Sequence, residues 1–321
     1  MRCWLAIGEW FGRHMPIISP VCLMLAVLAP GVFSQLDPLV TPLFAFVTFQ
    51  GALSNTFANL ASVFRRPGPM LLILCVASVV MPTLAYLLGS LLFSASPEIV
   101  CGIVLEYVVP VAVISTMWIG LYDGDAALGL ATLLVSTLLA PITVPLTLKL
   151  LVGAVVRVDA ADMFMSMLVR IAIPAVVGIA ANDLSHGAAK ERLSPVLAPA
   201  SRIAIALVIL ANSTAVAPFV RNLSPLLAAV IVFIGVFASL GFALGTVAAR
   251  LAGQGRDQAV TTTFECGLRN ITAGAVIAAE FFPPETMFPV ICGTLFQNVL
   301  AGVFGSLVAP RLFGSQDEPV R

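Results

Sequence analysis

Phe264-Glu265-Cys266-Gly267-Leu268-Arg269-Asn270-Ile271-Thr272-Ala273-Gly274 sets a carboxylate, a guanidinium and an amide inside an apolar segment running from about Ala259 to Phe282. Charged groups at membrane depth are costly. They usually face a bundle interior or a water-filled cavity, where they mark a transport or signalling path. Gly267 and Gly274 flank the charged residues, which suits a helix that breaks there and exposes backbone groups.

Outward from this stretch the chain keeps the same character. Of its 321 residues 60% are hydrophobic and only 10% charged, against roughly a quarter charged in soluble domains, so an ordinary water-facing surface is excluded. The formal charge is zero and no basic run exists, which excludes a nucleic-acid partner on electrostatic grounds. The lipid bilayer is the expected surroundings. Five of the six cysteines (Cys3, Cys22, Cys75, Cys101, Cys266 and Cys292) fall in apolar segments without metal-type spacing, and read as small hydrophobes. His14 and His186 lie outside the apolar segments, so zinc has no histidine ligand at membrane depth, and no cofactor is expected.

Apolar runs place spans near 17–34, 39–60, 69–93, 97–121, 126–152, 162–182, 195–220, 224–249, 257–282 and 285–312. With both termini cytoplasmic, Arg2, Arg13, Arg65, Arg66, Lys190, Arg192, Arg250, Arg256, Arg311 and Arg321 all fall inside. Only Lys149, Arg157 and Arg221 fall outside, and the bias supports ten spans in a cell membrane. Residues 1–16 carry Trp4, Ile7, Trp10 and Phe11 at helical spacing, as in a segment lying at the membrane interface, and 313–321 form a cytoplasmic tail. Residues 17–312 then form a single transporter domain. Five spans per half (17–152 and 162–312) would be oppositely oriented if related. Pro20 and Pro174, and Ser115 and Arg269, are each 154 residues apart, which hints at an inverted repeat. The expected fold is an all-α polytopic membrane protein built five plus five.

Span four offers a second break. Pro110 removes a backbone donor, Ser115 and Thr116 can bond freed carbonyls, and Glu106 lies one turn earlier. At these residues the chain resembles the bile acid:sodium symporter family, of the bile acid/arsenite/riboflavin transporter superfamily. The resemblance spans nearly the whole chain and is most specific at Glu265-Cys266-Gly267-Leu268-Arg269-Asn270, close to the family's Glu-x-Gly-x-Gln-Asn signature. It implies a panel part and a core part, with helices four and nine broken and crossing near two sodium sites. Ser115 and Glu265 match sodium ligands of the family. Thr116, Gly129 and Leu133 stand at other positions of the first site, and Ala77 and Arg269 at the second, so much of the side-chain oxygen set is missing. The expectation is degraded sodium sites.

Glu265 and Arg269 would share a face on continuous helix, as a structural ion pair, or the guanidinium could stand where a second sodium would sit. Glu106 either faces the core or an outer vestibule. If it joins the other two, two anions face one cation, and a proton becomes an alternative coupling ion. The reading is a secondary transporter of a small or amphipathic organic anion by alternating access. Glu265 and Arg269 carry charge, Asn270 and Ser115 hold helix ends, and Thr116 and Thr272 line the site. A sterol conjugate, a keto acid and a vitamin precursor all remain open as substrate, and the oligomeric state is open. An intramembrane enzyme would need an activated nucleophile, yet no histidine accompanies a membrane serine. The cysteine expected in span four of arsenite permeases has no match near Ser115.

Overall fold

The computed structural model describes residues 2–58, 67–154 and 156–308. These residues are helical almost throughout, and their only strand-like feature is one isolated bridge. In chain order the principal helices are α1 (Arg2–Leu28), α2 (Asp37–Ala52), α3 (Gly68–Phe93), α4 (Pro97–Val108), α5 (Ser115–Leu121) and α6 (Ala126–Leu151). Then follow α7 (Ala160–Leu184), α8 (Ala188–Ser213), α9 (Pro225–Leu251), α10 (Arg256–Gly267), α11 (Ile271–Phe281) and α12 (Pro284–Val303). Among the described residues, seven helical stretches are long and apolar enough to cross a membrane. The protein is an all-α polytopic membrane protein.

Several boundaries differ from the expected spans for local reasons. α1 stops at Leu28 because Ala29, which precedes Pro30, leaves the helical region at φ −131°. Two short turns carry the chain to Asp37, and α2 ends at Ala52. The ends expected at 60 and 312 and the tail 313–321 lie outside the described residues. α1 bends by 82° between its Cys3–Gly12 and Ile17–Leu28 stretches. It packs on α8, where Trp4 Nε1 donates to the Val196 carbonyl at 2.9 Å and Gly8 abuts Pro199. Ile7 and Trp10 stay exposed.

Two π-helical turns, Val76–Val80 in α3 and Leu168–Ala172 in α7, each end two residues before a proline, Pro82 and Pro174. A proline ring crowds the carbonyl four residues back, and one widened turn relieves that contact without ending the helix. Helices α1, α2, α7 and α8 pack on one another, and α3, α4 and α9–α12 form a second group, with α6 against both α7 and the second group. The two broken pairs, α4–α5 and α10–α11, sit in the second group.

Candidate functional site

Each break has a cause in sequence. Pro110 follows Val109, which turns extended at ψ 155° and ends α4. In the second pair the helix ends at Gly267, Leu268 is extended at φ −107° and ψ 123°, and Asn270 caps α11 by accepting from the Ala273 N–H at 3.1 Å. Gly267 lies so close to the Phe242 ring that a Cβ would collide with it. Backbone groups opened at this depth have no water to bond, so each break supplies the other. Asn270 N–H donates to the Pro110 carbonyl at 2.9 Å and Ala112 N–H to the Leu268 carbonyl at 3.2 Å, around the antiparallel bridge Val111–Arg269.

The charged side chains gather behind this bridge. Glu265 is fully buried, and its Oε1 accepts from Ser115 Oγ at 2.6 Å. Ser115 thus serves Glu265 with its hydroxyl rather than a helix end, while Asn270 does hold one. Arg269 is 2% exposed; its N–H donates to Gln297 Oε1 at 3.2 Å and its Nη2 to the Cys266 carbonyl at 3.3 Å. Nε and Nη1 of Arg269 and Oε2 of Glu265 have no hydrogen-bond partner. The two side chains form no ion pair, because the helix ends between them and Arg269 leaves the face on which position 265 sits. Glu106 faces the core, wholly buried, with neither oxygen in bonding geometry to a partner and with Gly293 making room for it; a Cβ there would strike the carboxylate.

A cavity of about 210 Å³ opens between the two helix groups at the level of the breaks. Arg269, Asn270 and Thr272 line it together with Thr137, Gln297 and Asn298, and mostly apolar residues of α1, α2, α7 and α8, with Ser19, Thr48 and Asn55, form the opposite wall. Glu265, Ser115 and Glu106 do not line the cavity. Thr116 does not reach the cavity, since its hydroxyl turns back onto the Val113 carbonyl at 2.9 Å, as expected of a threonine in a first helical turn. Gln297, by accepting from the Arg269 backbone, supports the second break directly. Two positions that the resemblance assigns to sodium ligands, Ala77 and Gly129, carry no side-chain oxygen. Ala77 packs with Cys266, Met70 and Leu128, and a Cβ at Gly129 would meet Ile119 at 2.6 Å and Glu265 Oε1 at 3.6 Å.

The family model for the sodium bile acid symporter family matches residues 41–223. The chain belongs to that family. It is 35% identical over 294 residues to the uncharacterized protein YbaS of Bacillus subtilis, covering 92% of this chain and 96% of that protein. It is 25% identical over 306 residues to the probable chloroplastic sodium/metabolite cotransporter BASS1 of Arabidopsis thaliana, covering 93% of this chain and 75% of the relative. The uncharacterized sodium-dependent transporter YocS of Bacillus subtilis is 22% identical over 295 residues, 91% of this chain and 90% of its own. Membership makes the chain a multi-pass membrane transporter for a small molecule.

Proposed function

We propose that this chain is a secondary transporter of a small organic anion, working by alternating access around the meeting point of the two broken pairs. The observation that carries the reading is Arg269. A guanidinium keeps its charge when buried, and two of its nitrogens here lack partners beside an apolar cavity. The N-terminus of α11, at Asn270 and Ile271, adds the positive end of a helix dipole to the same wall. Roughly 210 Å³ favours a keto acid or a vitamin precursor over a sterol conjugate, since drug-sized ligands occupy roughly 300–1,000 Å³.

The ten-span topology follows if the bent α1 and each broken pair count as one crossing, and the basic residues then place both termini in the cytoplasm. Residues 17–152 and 162–312 are the two inverted halves of one transmembrane domain, with 1–16 at the interface. In this reading the Arg269 guanidinium takes the place of one sodium ion, while Glu265 and Ser115 are the residue of the other sodium site. Glu106, with neither oxygen bonded, favours a proton as the second possible coupling ion.

Uptake of radiolabelled pyruvate, pantoate and taurocholate into proteoliposomes tests the reading. One of the first two should accumulate, and Arg269→Ala should take that uptake to background while the protein still inserts. Equal uptake by wild type and Arg269→Ala refutes the site.

A further inference from the structure

A second cavity of about 380 Å³ lies one turn beyond the first along the same helices. α2 gives Phe44 and Thr48 to the first and Val40 and Thr41 to the second, and α11 gives Thr272 to the first and Glu280 to the second. Buried Phe44, Ile171 and Val208 belong to the apolar core that separates them. The two cavities are thus neighbouring chambers lined by the same helices.

The second chamber has polar equipment that packing does not require. Arg170 Nη1 donates to Glu280 Oε2, which also accepts from Ser166 Oγ at 2.9 Å. Their side chains keep 25% and 29% exposure, so the chamber reaches the surface. Asn212 lines the same chamber at 7% exposure, and its amide nitrogen has no hydrogen-bond partner. A buried donor left unmade costs about 1–3 kcal/mol, so a ligand oxygen at this point would recover that loss. Arg170 is the one cation among the lining residues, which also carry the carboxylates of Glu280 and Asp37, and its planar fork suits a carboxylate. Glu280 already offers it one. The pair also joins α7 of one helix group to α11 of the other, so parting the groups breaks it.

We propose that this chamber is a docking site for a carboxylate-bearing organic anion, with Arg170 and Asn212 as its donors and Glu280 as the internal carboxylate that the anion displaces. The proposal rests on the small-anion reading above. Displacement exchanges one Arg–carboxylate contact for another while releasing the tie between the helix groups, so arrival of the anion favours opening.

The test is uptake of pyruvate or pantoate, whichever the wild type accumulates, by right-side-out and inside-out membrane vesicles holding the full chain. In one orientation only, Glu280→Gln should lower the KM at least threefold, because the competitor is gone. In that same orientation Arg170→Gln should raise it about tenfold. Asn212→Ala, which keeps the ion pair, should raise it too and serves if Arg170→Gln does not insert. The KM from the opposite face should not move. Arg170→Gln and Glu280→Gln shifting KM in the same direction, or equal shifts in both orientations, would mean a structural ion pair and overturn the docking site alone. Wild-type vesicles that take up neither pyruvate nor pantoate overturn the small-anion reading and the docking site with it.

Discussion

Glu265 and Arg269 are four residues apart, the spacing of an ion pair on a helix, and the fold declines to use them so. Gly267 ends the helix, Glu265 takes its hydrogen bond from Ser115, and Arg269 keeps two nitrogens unpartnered. Neither charge is therefore the other's structural complement. Glu265→Gln and Arg269→Ala should each abolish transport, and Glu265→Gln with Arg269→Gln should not restore it; recovery in vesicle uptake would reinstate the ion pair. A hydrogen bond to a charged group contributes about 1.5–3 kcal/mol. Ser115→Ala should accordingly slow uptake by about tenfold or more at unchanged expression, and a wild-type initial rate would show that the 2.6 Å contact is idle.

At the scale of the element, the two breaks are interdependent. Pro110 cannot donate, its carbonyl takes the Asn270 N–H, and the Leu268 carbonyl takes the Ala112 N–H. Replacing Pro110 by alanine supplies an N–H and removes the ring, so α4 can run on and withdraw the carbonyl that Asn270 uses. Pro110→Ala should keep or raise the thermal unfolding temperature of the purified protein while cutting uptake severalfold or more. Unchanged uptake with an unchanged unfolding temperature would mean that the break is set by tertiary packing alone. The π-helical turns before Pro82 and Pro174 show the gentler response to the same chemistry: a widened turn, with the helix continuing.

For the whole molecule the question is what drives the cycle. At two of the positions where the family resemblance places sodium ligands the chain has no side-chain oxygen: Ala77 is packed in an apolar cluster and Gly129 lies against Ile119. Replacing sodium by choline on both sides of reconstituted vesicles should leave most of the uptake. Strict, saturable sodium dependence would show that backbone carbonyls and Glu265 suffice for the ion. If sodium is dispensable, an imposed pH gradient should accelerate accumulation, and Glu106→Gln should remove that response while the substrate still binds. Indifference to the gradient in the wild type would make the protein a uniporter or exchanger.

Composition alone determined the membrane class, because 10% charged residues cannot clothe a protein of 321 residues in water. Local chemistry likewise announced both breaks, through Pro110 and through the glycines around Glu265 and Arg269, since the backbone consequences of Pro and Gly do not depend on distant contacts. Asn270 as the holder of a helix end was legible on the same grounds. What local pattern could not fix was the direction of each side chain once the helix stopped. The meeting of Arg269 with Gln297, of Ser115 with Glu265 and of Arg170 with Glu280 joins residues 28, 150 and 110 positions apart. The same holds for the turn of Thr116 away from the cavity and the space that Gly293 leaves for Glu106. Such contacts depend on how helices cross, and crossings are set by packing over their full length rather than by any one stretch of sequence.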